Sequence, residues 1–285
     1  MNNNSPQTTD PAIHLPANDP GYYYDPRVEA GQHGEIKLSP TVAQCCKTCP
    51  SAGRPPYQIL DPTGEPAWCA CYPYRRKIQE INKLIKSSDI PERFRYKFRE
   101  AFHNAYDNQP IVGAREIKSL LDTLINATKM ANNTKGLFLW GSPGNGKTLL
   151  ACIALNELIF HTTRAGKFIG LSRKFFQTLR YTFDEDSPIY GQGMQIVETL
   201  SNIPYLVIDD FGVQRNTEWE LEMLYNLIDA RYAEQRLTIV TTNQDINDIK
   251  DLAHGRIYSR LLEMCHILHI TAPDYREHFK REHEV

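Results

Sequence analysis

No run of apolar residues approaches the ~20 needed to span a bilayer, and the opening MNNNSPQTTD has neither the basic start nor the apolar stretch of a secretory leader. Both absences lead us to expect a cytoplasmic protein. Neither sign of charge is in excess: 32 Lys and Arg face 34 Asp and Glu, a formal net charge of -2. No global field therefore draws the chain to nucleic acid, and any such binding has to come from a local basic patch. No internal repeat is present, which excludes a solenoid. What remains is ordinary, with 41% apolar and 23% charged residues over 285 positions. That is room for one full α/β domain and a smaller module.

Residues 1–40 are rich in Asn, Pro, Asp and Gly without sustained periodicity, a composition that cannot bury enough apolar surface to offset ordering entropy, and we expect a disordered N-terminal tail there. Five of the seven cysteines follow within 41–76. In a reducing compartment they are better read as metal ligands than as disulfides. Cys46-Lys-Thr-Cys49 and Cys69-Ala-Cys71 bracket a loop, the spacing of a tetrahedral zinc site whose metal supplies the folding energy a module this small lacks. Cys45 is an alternative ligand, and redox chemistry or unligated thiols remain the other readings. Cys152 and Cys265 fall in an expected helix and strand and read as apolar filler.

Over 77–110 the pattern becomes helical and basic. Ile78, Ile81, Leu84 and Ile85 recur at helical spacing to about Ser87. Asp89 and Pro91 then read as a cap and first turn, and Phe94, Phe98 and Phe102 as an aromatic stripe on a second helix. Between Arg75 and Arg99 lie nine Lys or Arg interleaved with Phe94, Tyr96 and Phe98. Cations among aromatics suit single-stranded nucleic acid, and a core stripe with a solvated basic face suits the same residues. A third helix is expected around Ile117, Leu120, Leu121, Leu124 and Ile125, opening a domain that fills 111–285.

In that domain short apolar runs (137–140, 168–171, 205–208, 237–241, 267–270) alternate with helical segments (147–160, 193–201, 217–233). Alternation of this kind predicts an α/β fold with a parallel sheet covered on both faces. Gly141-Ser142-Pro143-Gly144-Asn145-Gly146-Lys147-Thr148 matches the full P-loop pattern between an expected strand and an expected helix. Its glycines let backbone N–H groups converge on phosphates, Lys147 reaches the β and γ phosphates of ATP, and Thr148 offers its hydroxyl to Mg²⁺. The run Tyr205-Leu206-Val207-Ile208-Asp209-Asp210 has the form of a Walker B strand: Asp209 is placed to hold magnesium and Asp210 to orient or deprotonate the attacking water. Asn243 ends the next strand, where it can reach the γ phosphate or its water, although Asn also ends strands well for local reasons.

These residues together resemble a known family. GSPGNGKT, YLVIDDFG, TTN and HGRIYSRLLE are similar to the AAA+ domain of bacterial DnaC/DnaI-type helicase loaders, and SSDIPERFRYKF is similar to the connector before that domain. The cysteine-rich module resembles, more loosely, the zinc-containing helicase-binding region of DnaI-type loaders. The resemblance implies an AAA+ P-loop core without a C-terminal helical lid, self-association through the ATP interface, a replicative helicase as partner and single-stranded DNA as substrate. It places Arg256 where the family carries an arginine finger for the neighbouring subunit's ATP, with Arg260 one helical turn on. Asp209-Asp210 stands where many AAA+ enzymes have Asp-Glu, which implies slow hydrolysis stimulated by DNA or partner. Two other readings are an IstB-like transposition ATPase working with a transposase on double-stranded DNA, and an adaptor that binds ATP without turning it over.

Overall fold

The computed structural model describes residues 35–37, 55–69, 72–102, 105–106, 109–110, 114–129, 135–171, 175–212, 217–250, 255–272 and 274. They fall into two compact units that divide between Lys83 and Leu84.

In the first unit, β1 (Gln58–Leu60) pairs antiparallel with β2 (Pro66–Trp68). The turn between them is organised by one carboxylate. Asp61 Oδ1 accepts from the Thr63 amide at 2.8 Å, the Thr63 hydroxyl at 2.6 Å and the Glu65 amide at 3.0 Å. Those bonds hold its carboxyl below the usual aspartate range. Cys69 is buried beneath Tyr57 and Ile59. Helix α1 (Tyr72–Ser87) follows, with Ile78, Ile81 and Ile85 buried as their spacing predicts. Within the stretch read as a tail, Ile36 is also buried, and its amide and carbonyl are both bonded to the Asn82 side chain, at 3.1 and 2.9 Å.

The connector after α1 differs from expectation. Glu92–Phe94 and Arg99–Ala101 are single 3₁₀ turns rather than one α-helix, because Tyr96 sits at φ 59° and Arg95 is extended. Asp89, also left-handed at φ 58°, caps nothing; its carboxylate pairs with Lys167 at 2.8 Å. The backbone groups that a helix would satisfy internally are taken by another helix. Asn156 donates to the carbonyls of Phe94 and Lys97, both at 2.9 Å, and Glu157 accepts from the Arg99 amide at 2.9 Å. Phe98 and Phe102 are buried all the same, Phe98 edge-on to Phe160. Four-residue spacing here served a core without a helix. A two-residue ladder, β3 (Ala105–Tyr106) with β4 (Gln109–Pro110), leads to α2 (Ala114–Lys129), which buries Ile117, Leu121, Leu124 and Ile125.

The main sheet contains β5 (Gly136–Trp140), β6 (Gly166–Gly170), β7 (Tyr205–Asp209), β8 (Leu237–Thr242) and β9 (Cys265–His269), all parallel in the order β6-β7-β8-β5-β9. β5 to β8 match the expected runs closely. Helix α3 (Lys147–Thr162) is apolar almost all round, as a helix must be that is enclosed by the sheet, α2 and the connector. On the opposite face, Phe138, Leu206, Ile208 and Val240 share a core with Leu179 of α4 (Phe176–Tyr181), Leu200 of α5 (Gly193–Asn202), Leu224, Leu227 and Ile228 of α6 (Glu218–Ala233), Ile249 of α7 (Ile246–Lys250) and Ile257 and Leu261 of α8 (Arg256–Met264). No described helix is long and apolar enough to cross a membrane.

One cation lies inside that core. Arg231 is fully buried and donates to the carbonyls of Leu200, Ser201, Ile203 and Leu237 and to the Thr238 hydroxyl, fastening the end of α5 to the start of β8. Burial, aided by Arg236, pushes its pKa down to about 9. Arg231→Met strands five acceptors, four of them in buried bonds, so we expect a loss of at least about 3 kcal/mol. A fall in the urea midpoint without a change in slope is the measurement that checks it.

Candidate functional site

The site lies at the carboxyl ends of β5, β7 and β8, where the strand order places β8 between the phosphate strand and the acidic strand. β5 ends at Trp140, the loop 141–146 follows, and α3 begins at Lys147 with Gly146 as its N-cap at φ 89°. A side chain at Gly146 would have to adopt that left-handed conformation at the point where the loop must hand its N–H groups to the helix. Gly144 is constrained differently: a Cβ there would sit 1.8 Å from the Asp274 carboxylate.

Lys147 is buried at 5% exposure and its ammonium curls into the loop, bonding Gly141 O at 2.8 Å, Ser142 O at 2.7 Å and Asn145 Oδ1 at 2.8 Å. The Asn145 amide donates in turn to Ile270 O, in the chain leaving β9. Ser142 and Pro143 are exposed. Across the crevice Thr148 Oγ1 donates to Asp209 Oδ1 at 2.9 Å. Asp209 is 7% exposed, and burial, with Asp210 adding to it, holds its carboxyl above the usual aspartate range against the bonds from Thr241 and Thr148 and the nearby Lys147 charge. A desolvated carboxylate beside a second carboxylate and a hydroxyl is an all-oxygen donor set that a hard dication stabilises. The pair Thr148 and Asp209 therefore fits magnesium.

Asp210 stands at φ 57°, left-handed, so that its side chain leaves the strand toward Asn243, whose amide donates to it at 3.2 Å. The turn is held from β8. Thr241 Oγ1 donates to Asp209 at 2.6 Å and accepts the Asp210 amide at 3.2 Å, while Thr242 Oγ1 donates to Phe211 O at 2.6 Å. Reading along the sequence missed Thr241 and the second role of Asn145. The signal was available for Thr241: a buried run, LTIVTT, carrying hydroxyls needs partners for them.

Arg256 and Arg260 lie on α8, away from their own chain's phosphate loop in sequence and paired with α6. Both guanidinium groups approach the Tyr225 ring, at 4.5 and 4.8 Å from its centroid. Arg260 also bonds the Asp229 carboxylate, the Tyr225 hydroxyl at 2.9 Å and the Arg256 carbonyl at 3.0 Å. Arg256 itself is exposed. Of the expected zinc ligands only Cys69 is among the described residues. Cys45, Cys46, Cys49 and Cys71 lie outside them, and among the described residues no cluster of three or more His, Cys, Asp or Glu groups is placed to hold a metal. The stretch that would carry a C-terminal lid, beyond Asp274, is likewise outside the described residues.

The family profile described as "IstB-like ATP binding protein" matches residues 76–283. The chain belongs to the IstB-like ATP-binding family. Within reach of this IstB-like chain are proteins named replicative helicase loader DnaC. That of Buchnera aphidicola (subsp. Acyrthosiphon pisum) is 28% identical over 195 residues, covering 64% of this chain and 77% of the relative. The Escherichia coli K12 protein is 28% identical over 131 residues, 45% of this chain and 51% of the relative. Among solved structures, the DnaC helicase loader superposes with a TM-score of 0.53 at 25% identity, over 64% of this chain and all of that one. DnaI gives 0.52 at 18% identity over 64% and 95%, a likeness of fold. The parallel five-stranded sheet with its P-loop is thus the AAA+ loader fold, and the DnaC/DnaI resemblance read from the residues is returned by both comparisons.

Proposed function

We propose that this IstB-like protein is an ATPase that loads a replicative DNA helicase onto single-stranded DNA, its nucleotide state switching its hold on both. The similarity to a DnaC loader over 195 residues, beside a phosphate loop whose Thr148 bonds Asp209, supports this reading. In the mechanism, backbone N–H groups of 141–148 receive the ATP phosphates and Lys147 exchanges its loop acceptors for the β and γ oxygens. Thr148 and Asp209 would hold magnesium, whose charge would offset the charge developing on the phosphates. Asp210, steadied by Asn243, orients the attacking water and accepts its proton. Arg256 of one subunit completes the site of the next.

Asp210 carries a shorter arm than a glutamate, so basal turnover is expected to be slow and stimulated by partner and DNA. Measuring ATPase with and without a replicative helicase and single-stranded DNA tests the proposal. No stimulation by either, with turnover instead responding to a transposase on double-stranded DNA, would favour the transposition reading. An absence of turnover under every condition would leave an ATP-binding adaptor.

The N-terminal cysteines enter as a structural zinc module that engages the helicase. Freshly prepared protein is expected to hold about one zinc per chain. Replacing Cys49 and Cys71 together with Ser should release it and weaken helicase binding while sparing ATP binding. Metal analysis that finds no zinc in unchelated protein sinks the module.

A further inference from the structure

We infer that Thr241 is a positioning residue of the nucleotide site, whose single hydroxyl holds the magnesium carboxylate of Asp209 and the water-orienting Asp210 in one fixed relation. The inference rests on the roles proposed for those two acids. It goes beyond them by naming the group that aims both.

A hydroxyl has one proton to give and lone pairs to receive with. The Thr241 proton goes to Asp209 Oδ1 at 2.6 Å, the same oxygen that the Thr148 hydroxyl reaches at 2.9 Å. The last torsion of an aspartate is soft, so two donors on one oxygen fix it, and with it the direction in which the carboxylate is offered to a dication. The lone pair of Thr241 Oγ1 receives the Asp210 amide at 3.2 Å. The paired register of β7 and β8 runs to Ile208 and Val240, and Asp210 beyond it turns left-handed at φ 57°. There its amide is received by the Thr241 side chain, while the Thr241 carbonyl receives the next amide, that of Phe211, at 2.8 Å.

The neighbouring hydroxyl shows what a purely structural threonine does at this strand end. Thr242 is equally buried and serves only the backbone, donating to Phe211 O at 2.6 Å and accepting the Gln244 amide at 3.0 Å. Successive strand side chains point to opposite faces, so only one of the two can stand against the acids. Thr241 gives its proton to a carboxylate, the stronger kind of hydrogen bond, and does so from a β-branched side chain that is stiff at χ1. The dication and the attacking water have to meet the same phosphate, and Thr241 ties the two residues that place them.

The test uses the full-length chain, a fluorescent ATP analogue and magnesium chloride. In EDTA, Thr241→Val, which keeps the shape and removes the hydroxyl, should bind the analogue as the unaltered chain does, because the loop contacts are untouched. Its gain in affinity on adding magnesium should shrink on the order of 10-fold, and turnover at saturating magnesium should fall by about 10–10²-fold, the usual cost of losing a group that orients a metal ligand. Thr241→Ala should match Thr241→Val, and Thr241→Ser, which keeps the hydroxyl, should restore most of both losses. An undiminished magnesium gain in Thr241→Val and Thr241→Ala overturns the inference. So does an equal loss of affinity in EDTA and in magnesium, since the damage then lies in the phosphate loop or the fold, and so does a Thr241→Ser chain as impaired as Thr241→Val. Asp209→Asn is the reference: if it keeps the full magnesium gain, the magnesium role of Asp209 falls and takes this inference with it.

Discussion

Arg256→Ala is expected to leave ATP binding by the isolated chain nearly unchanged while turnover falls by ~10³–10⁵, the usual worth of an arginine supplied across an interface. Binding survives because the phosphate contacts, Lys147 and the loop N–H groups, are all local to β5 and α3. Turnover falls because the charge developing on the γ phosphate loses its cation. Mixing Arg256→Ala with Asp210→Asn should restore part of the activity, since one of the mixed interfaces pairs an intact Asp210 with an intact Arg256. The second variant suits the purpose: Asp210 is left-handed at φ 57°, a conformation asparagine tolerates, so the turn should persist. A mixture as inactive as either parent, with mixed assembly demonstrated, would remove the trans role from Arg256.

Lys147→Ala is expected to abolish productive nucleotide binding and to leave the fold intact. The ammonium lies 2.7 to 2.8 Å from Gly141 O, Ser142 O and Asn145 Oδ1, acceptors of a loop whose Ser142 and Pro143 are open to water, so solvent can take the vacated bonds. Two charge-assisted contacts to phosphate at ~1.5–3 kcal/mol each correspond to ~10²–10⁴ in affinity. Titration of the variant with ATP and magnesium, alongside an unfolding curve, checks both halves. Binding as tight as that of the unaltered chain would refute the phosphate-loop assignment.

Much of the fold was legible from local pattern. Apolar runs of four or five residues, each followed by a helical period, marked β5 to β8 and α3, α5 and α6 within a residue or two, since strands buried on both faces are mostly apolar. The phosphate loop was equally legible, because its chemistry needs fixed residue types at fixed spacing. The connector was misread for the opposite reason. Its phenylalanines repeat every fourth residue, yet Asn156 and Glu157 of α3 claim the backbone groups that a helix would have satisfied, and Tyr96 turns left-handed to present them. No window of the sequence contains both partners.

The same distinction runs through the site. Residue types and spacing named Lys147, Thr148, Asp209, Asp210 and Asn243, since phosphate, magnesium and water each demand a particular functional group close to a strand end or helix start. They also pointed to a family. Insertion of β8 between β5 and β7 is a long-range pairing, and it alone sets Thr241 against Asp209, 32 residues away in sequence. The bond from Asn145 to Ile270 spans 125 residues. The bonds of Arg260 to Asp229 and Tyr225 depend on α6 and α8 lying side by side. A side chain's chemistry is a property of its residue, but which groups become its partners is set by how the sheet orders its strands and how helices pack against it, and that is a property of the whole chain.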